Sequence, residues 1–215
     1  MTAACAALRL GSLVGEAGEW LLPMSAEPAS ERLEGLPRSG PLRGRREGAL
    51  VREAQRGSSD ALEELFRRHW RRAHRAAYLV IGDPSAAEDI AQESFLAAVR
   101  ALDRFDRRRA FGPWLHRITV NRAIDFARAR ALRAESALQG VEEDAAPAPE
   151  SISDELLTAL GQLNPEHRAV IVLRYVLGYS PGEIGEILGL PRGTVNSRLR
   201  RGLDRLRPAL AEDPR

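Results

Sequence analysis

SPGEIGEILGLPRGTVNSRLRRGLDRLR, residues 180–207, is the stretch on which the fold turns. Ser180 can cap a helix, with Glu183 three residues on to close a capping box, and Ile184, Ile187 and Leu188 give that helix one apolar side. After Gly189-Leu190 a second helix opens near Pro191, a residue suited to a first helical turn. Val195, Leu199, Leu203 and Leu206 then recur at steps of four, four and three, which predicts one narrow buried stripe. The opposite side carries Asn196, Ser197, Arg200, Arg201 and Asp204, side chains that can meet base edges and phosphates in a major groove. Arginines 192, 198, 200, 201, 205 and 207 face a single acid along this helix. Two short helices about a tight turn, the second so basic, predict a helix-turn-helix that binds DNA rather than a merely solvated helix.

The rest of the chain suits that reading. With 215 residues, 44% apolar and 29% charged, it is long enough for one large or two small globular domains. The formal net charge is only +2, but it is segregated: residues 107–133 and 191–207 are basic, and 134–155 carry seven acids and no base. All 32 basic residues are arginine, which we attribute to base composition of the coding sequence. The single cysteine, Cys5, excludes an internal disulfide or a cysteine-based zinc domain and points to a reducing cytoplasm. No run approaches the roughly 18 apolar residues of a membrane span, and the N-terminus lacks the basic start of a signal peptide, so neither membrane insertion nor export is expected. His69, His74, His116 and His167 are scattered and read as surface or partly buried side chains, and no phosphate loop, nucleophile elbow or paired-carboxylate motif is present. No cofactor, metal site or catalytic residue is expected.

An all-α fold is predicted, with two small helical domains joined by a flexible acidic linker. Residues 1–46, rich in Gly, Ala, Pro and Ser, are expected to be a disordered extension, within which Met24 offers an alternative start. The first domain runs over 48–133. Ala49–Gln55 form one short helix; Asp60 and Glu63 cap a longer one whose face is Leu62, Leu65, Phe66, Trp70, Ala73, Ala77 and Tyr78, stopped by Gly82-Asp83-Pro84. A third helix covers about Ser85 to Leu102 and a fourth about Pro113 to Arg133. Residues 134–152 are the linker. The second domain, 153–210, holds helices over Ile152–Leu163 and Pro165–Leu177 before the helix-turn-helix.

Two further helices carry chemistry. On the third, Ala87, Ile90, Ala91, Ala98 and Leu102 face the core, while Asp89, Gln92, Glu93, Leu96 and Arg100 form the outer side, where Leu96 is an apolar residue in an acidic face. The fourth is apolar nearly all round except for a stripe bearing Arg117, Asn121, Asp125 and Arg128. Eight arginines between 107 and 133, among Phe105, Phe111 and Trp114, suit a channel for unstacked bases, although core packing is the better reading of Phe105 and Trp114.

AAEDIAQESFLAAVRALDRF, FGPWLHRITVNRAIDFARAR and LNPEHRAVIVLRYVLGYSPGEIGEILGLPRGTVNSRLRRGLDRLR resemble, in order and spacing, the diagnostic stretches of bacterial sigma factors of the extracytoplasmic-function group. The resemblance implies that 48–133 is region 2, which binds core RNA polymerase and opens the −10 element, and that 153–210 is region 4, which reads the −35 element. Position by position, it implies polymerase contact for Asp89, Gln92, Glu93 and Leu96. It implies −10 contact for Arg117, Asn121, Arg122, Asp125 and Arg128, with Asn121 where the family captures a flipped base, and −35 contact for Arg192, Thr194, Asn196, Ser197, Arg200 and Arg201. Asn196 stands where many members carry Lys or Arg. Core polymerase, promoter DNA and an anti-sigma protein are the implied partners. The competing reading is an autonomous helix-turn-helix regulator, which would have no need of an acidic partner face followed by a base-capturing stripe.

Overall fold

A computed structural model describes the backbone of residues 41–136 and 154–211, with side chains over 47–133 and 156–207. The expected N-terminal extension lies outside the described residues up to position 40, and so does the linker from 137 to 153. The described residues contain helices and no strand. In chain order these are α1 (Pro41–Gln55), α2 (Ser59–Ile81), α3 (Pro84–Ala101), α4 (Phe111–Ser136), α5 (Asp154–Gly161), α6 (Pro165–Ile171), α7 (Pro181–Leu188) and α8 (Arg192–Ala211). A 3₁₀ turn, Leu102–Arg104, follows α3, and a π-helical turn, Val172–Val176, follows α6.

The helices begin and end for local reasons. α1 opens at Pro41, earlier than the Gly- and Arg-rich composition of 41–46 suggests, with the proline at a position that needs no N–H donor. The cap of α2 is Ser58, whose Oγ accepts from the Ala61 N–H at 3.3 Å, not the expected Asp60, which lies inside the first turn. Gly82, at φ 78°, ends α2 in the left-handed region, and Asp83 caps α3 by accepting from the Ala86 N–H at 3.0 Å. The helix expected over Pro165–Leu177 widens after Ile171, where the Leu177 N–H reaches Val172 O five residues back.

Two compact units result. The first joins the chain up to His69 with Leu96–Gly112. Its core includes Val51, Leu65, Phe66, Leu102, Phe105 and Phe111, so Phe105 and Phe111 meet edge to face inside it and are not platforms for bases. The Gln55 side chain donates to Leu102 O and Phe105 O at 2.8 and 3.1 Å, and Glu47 accepts from the Phe111 N–H at 2.9 Å.

The second unit joins Trp70–Phe95 with Pro113 onward. Its core draws Tyr78, Leu79, Ile90, Val120 and Ile124 from the earlier helices and Leu160, Val170, Leu173, Ile184, Val195 and Leu199 from the later ones. Fully burying side chains of this size contributes about 1.5–3 kcal/mol each. Two buried polar groups are satisfied within it. His116, fully buried where a surface or partly buried side chain is expected, meets the Tyr179 hydroxyl through Nδ1 at 2.7 Å. Arg168 donates to Val80 O at 2.7 Å and to Gly161 O and Leu163 O at 2.9 Å.

Candidate nucleic-acid interface

The helix-turn-helix is built by its own caps and by close backbone packing. Ser180 accepts from the Glu183 N–H at 3.3 Å while the Glu183 carboxylate accepts from the Ser180 N–H at 2.8 Å, which closes the expected capping box. α7 ends at Gly189, left-handed at φ 67°, and the Leu190 N–H returns to Gly185 O at 2.8 Å. Gly185 is required there, because a Cβ would stand 2.6 Å from Leu190 O. The turn is therefore tight enough to deliver Pro191 directly into α8.

α8 buries Val195, Leu199 and Leu206, as its spacing predicts, but Leu203 is exposed. Gly202 takes its place: a Cβ at Gly202 would meet Ile171 Cγ1 at 3.1 Å, so the helix approaches α6 most closely at a residue without a side chain. Positions 195, 199, 202 and 206 keep one face, and 203 falls beside it. The outer face then presents Arg192, Asn196, Arg200 and Arg201 exposed, with Thr194 and Ser197 half-buried at its edge.

Beside this face lies an open concavity between the start of α6 and the start of α8, lined by Asn164, Glu166, His167, Ser197, Arg198 and Arg201. Asn164 caps α6 by accepting from the His167 N–H at 2.9 Å. Burial, together with the positive charges of Arg198, Arg201 and Arg205, holds His167 below the ordinary imidazole value against the opposing pull of Glu166. Burial pushes the Glu166 carboxyl up, but hydrogen bonding and charge from Arg128, with the charge of Arg198, more than offset this and leave it below the ordinary carboxylate value. Asn164, Glu166, His167 and Arg198 were not among the expected site residues. The available signal was Asn164-Pro165, a helix start placed one helix before the basic α8.

On α4 the expected stripe stands: Arg117, Asp125 and Arg128 are exposed and Asn121 and Arg122 half-buried, opposite buried Leu115, Val120, Ala123 and Ile124. Its charges are engaged by distant acids. Arg122 donates to Glu93 on α3 at 2.6 Å. Arg128 lies 3.7 Å from Asp125 and pairs with Glu166, its Nε donating at 2.8 Å. On α3, Asp89 and Glu93 are exposed and Gln92 half-buried, with Leu96, also half-buried, four residues after Gln92. The structure thus brings together one residue of the expected polymerase set, Glu93, with one of the expected −10 set, Arg122. Ser94 and Phe95, not expected in the core, are buried between these faces, Ser94 Oγ donating to Ile90 O at 2.6 Å. Among the described residues, no group of three or more His, Cys, Asp or Glu could hold a metal ion, and no helix is long and apolar enough to cross a membrane.

Comparison with known proteins follows the same division of the chain. The family model described as Sigma-70 region 2 matches residues 65–133, and that described as Sigma-70, region 4 matches 153–206. The RNA polymerase sigma factor CarQ of Myxococcus xanthus is 36% identical over 161 residues, 73% of this chain and 92% of CarQ. The extracytoplasmic-function sigma factor SigW of Bacillus subtilis is 35% identical over 178 residues, 75% of this chain and 95% of SigW. Among solved structures, CnrH in complex with the cytosolic domain of CnrY superposes with a TM-score of 0.61 at 32% identity, covering 78% of this chain and 98% of CnrH.

Proposed function

The chain belongs to the extracytoplasmic-function group of sigma-70 RNA polymerase sigma factors, and from that premise we propose how its own residues divide the work. It directs RNA polymerase to promoters. In this reading residues 48–133 bind core enzyme and open the −10 element, 134–152 connect, and 153–210 read the −35 element. Arg192, Thr194, Asn196, Ser197, Arg200 and Arg201 lie along the major groove; Arg117, Asn121, Arg122, Asp125 and Arg128 meet the unpaired strand; Asp89, Gln92, Glu93 and Leu96 meet polymerase. The protein performs no chemistry itself and acts in the cytoplasm with polymerase. The complex of CnrH with the cytosolic domain of CnrY supports an anti-sigma protein as a further partner here.

The observation that carries the reading is the face of α8. Arg192, Asn196, Arg200 and Arg201 are exposed opposite a buried stripe, on a helix fixed by a capping box and a glycine turn. A bidentate arginine–guanine contact is worth about 1–3 kcal/mol of discrimination. Arg200→Ala and Arg201→Ala are therefore expected to weaken −35 recognition by about 10–100-fold when the contact is bidentate, measured as promoter-specific initiation by purified holoenzyme. Unchanged promoter selectivity in both variants defeats the assignment. Asn121→Ala is expected to impair opening more than initial duplex binding, because a flipped base is available only after pairing is lost. Permanganate probing of unpaired thymines, beside a salt-controlled duplex titration, separates the two steps.

A further inference from the structure

The second unit clasps together the parts that the proposed function needs apart. Arg128 on α4, in the −10 stripe, is bonded to Glu166 at the start of α6. Glu166 also lines the concavity that contains Arg198 and Arg201 of the recognition helix. One carboxylate therefore sits among arginines from both DNA-reading surfaces, where a phosphodiester would sit on either surface if DNA were bound. The clasp has further points. Arg168 reaches Val80 O, the Arg72 guanidinium donates to Leu177 O at 3.0 Å, and Tyr179 meets His116. Apolar side chains from α2–α4 and from α5–α8 share one core.

That arrangement is incompatible with reading both elements at once. Elements named for positions −35 and −10 lie roughly 25 base steps apart, about 85 Å at 3.4 Å per step. Arg128 and Glu166 in hydrogen-bond contact cannot span that distance.

We propose that the free chain is self-inhibited by this clasp, with Glu166 acting as an internal substitute for DNA phosphate against Arg128, Arg198 and Arg201, and that core polymerase opens it. The inference rests on the proposed −10 and −35 roles of the two surfaces. Arg128 is 52% and Glu166 21% exposed in the side chain, so their pair is of the weak, screened kind. It can therefore yield to polymerase, while its loss still shifts the closed fraction by a few-fold. A ligand that binds only the open chain has its affinity reduced in proportion to the open fraction.

The test uses the full chain with Cys5→Ser and fluorophores at Ala129→Cys and Asp204→Cys, both exposed positions outside the assigned contacts. Energy transfer is read in the free chain and with core polymerase, beside polymerase affinity. High transfer is expected in the free chain and low transfer in the complex. Glu166→Gln is expected to lower transfer and tighten polymerase binding about two- to fivefold, and Glu166→Arg to lower transfer further. Adding Arg128→Glu to Glu166→Arg is expected to restore high transfer, which a general loss of folding would not do. Low transfer in the unmodified free chain overturns the proposal, as does high transfer that persists in Glu166→Arg or in the polymerase complex. None of these readouts uses DNA, so the clasp can stand or fall separately from the promoter contacts tested through Arg200 and Arg201.

Discussion

The two helices that carry the proposed DNA contacts, α8 and α4, hold their functional faces by different means. α8 is positioned by neighbours in sequence: Ser180 and Glu183 close the preceding cap, Gly185 and Gly189 shape the turn, and Val195, Leu199 and Leu206 seat the helix. Its basic face follows from periodicity alone. α4 is positioned by a core on several sides, and its stripe is charge-paired with acids 29 and 38 residues away. A face set by local caps and spacing can be read from the chain, whereas a face whose charges are engaged from a distance shows its position but not its partners.

The largest expected effect tests the seat of α8. Leu199→Ala removes a buried side chain and should cost about 2–5 kcal/mol, read by urea unfolding. Leu203→Ala, on the exposed side, should fall within about 0.5 kcal/mol. Equal costs would return Leu203 to the stripe and make Gly202 incidental.

Next in size is the cap. Ser180→Ala leaves the Glu183 N–H without its side-chain acceptor and should cost about 1 kcal/mol in the same measurement. Loss of promoter discrimination should accompany it at elevated temperature, because the cap supports the turn that aims α8. No change in unfolding midpoint would mean that packing alone holds α7.

How much of this was legible in the sequence follows the same division. The helix-turn-helix with its capping box, the outer face of α3 and the α4 stripe were readable because each rests on spacing within one helix. The errors arose where tertiary approach outweighs pattern. Leu203 fits an apolar stripe by chemistry, yet α6 comes so close to α8 that only Gly202 fits between them. Asp60 and Glu63 imitate a capping box, but Ser58 lies at the position that can reach the Ala61 N–H. Phe105 and Phe111 pack against each other in the first unit, and nothing in a basic stretch distinguishes a core aromatic from a base platform. Arg168 and His116 are buried because acceptors from other helices meet them, information that no single-helix pattern contains.

A graded effect is expected with pH. His74, held below its ordinary value of 6.5 by burial against the pull of Glu88, and His167, lowered by burial and by Arg198, Arg201 and Arg205, both favour the neutral ring in the folded state. Their contribution is complete above pH 6.5 and is lost as pH falls from there through the lowered values. Glu47 and Glu166, both held below 4.5 despite burial by the hydrogen bonds of His69 and Arg128 respectively, add a second loss below that pH. Thermal midpoints should therefore decline in two stages on acidification, and His74→Gln should reduce the first. A flat profile from pH 7 to 5 would contradict the environments described for both histidines.

The smallest expected effect concerns Arg122 and Glu93, the pair that joins a proposed DNA contact to a proposed polymerase contact. Their side chains are 41% and 61% exposed and meet at 2.6 Å, so the pair resembles surface ion pairs worth about 0.2–1 kcal/mol. A coupling that small would let polymerase take Glu93 and the open strand take Arg122 with little resistance from the pair itself. Arg122→Ala should then change affinity for core polymerase by less than about fivefold, whereas Glu93→Arg should weaken it through direct loss of the contact. In a double-mutant cycle on unfolding, the coupling should stay below about 1 kcal/mol and shrink as salt is raised. A salt-resistant coupling above about 2 kcal/mol would instead make Arg122 a brace between α4 and α3, and the −10 stripe would then reduce to Arg117, Asn121, Asp125 and Arg128.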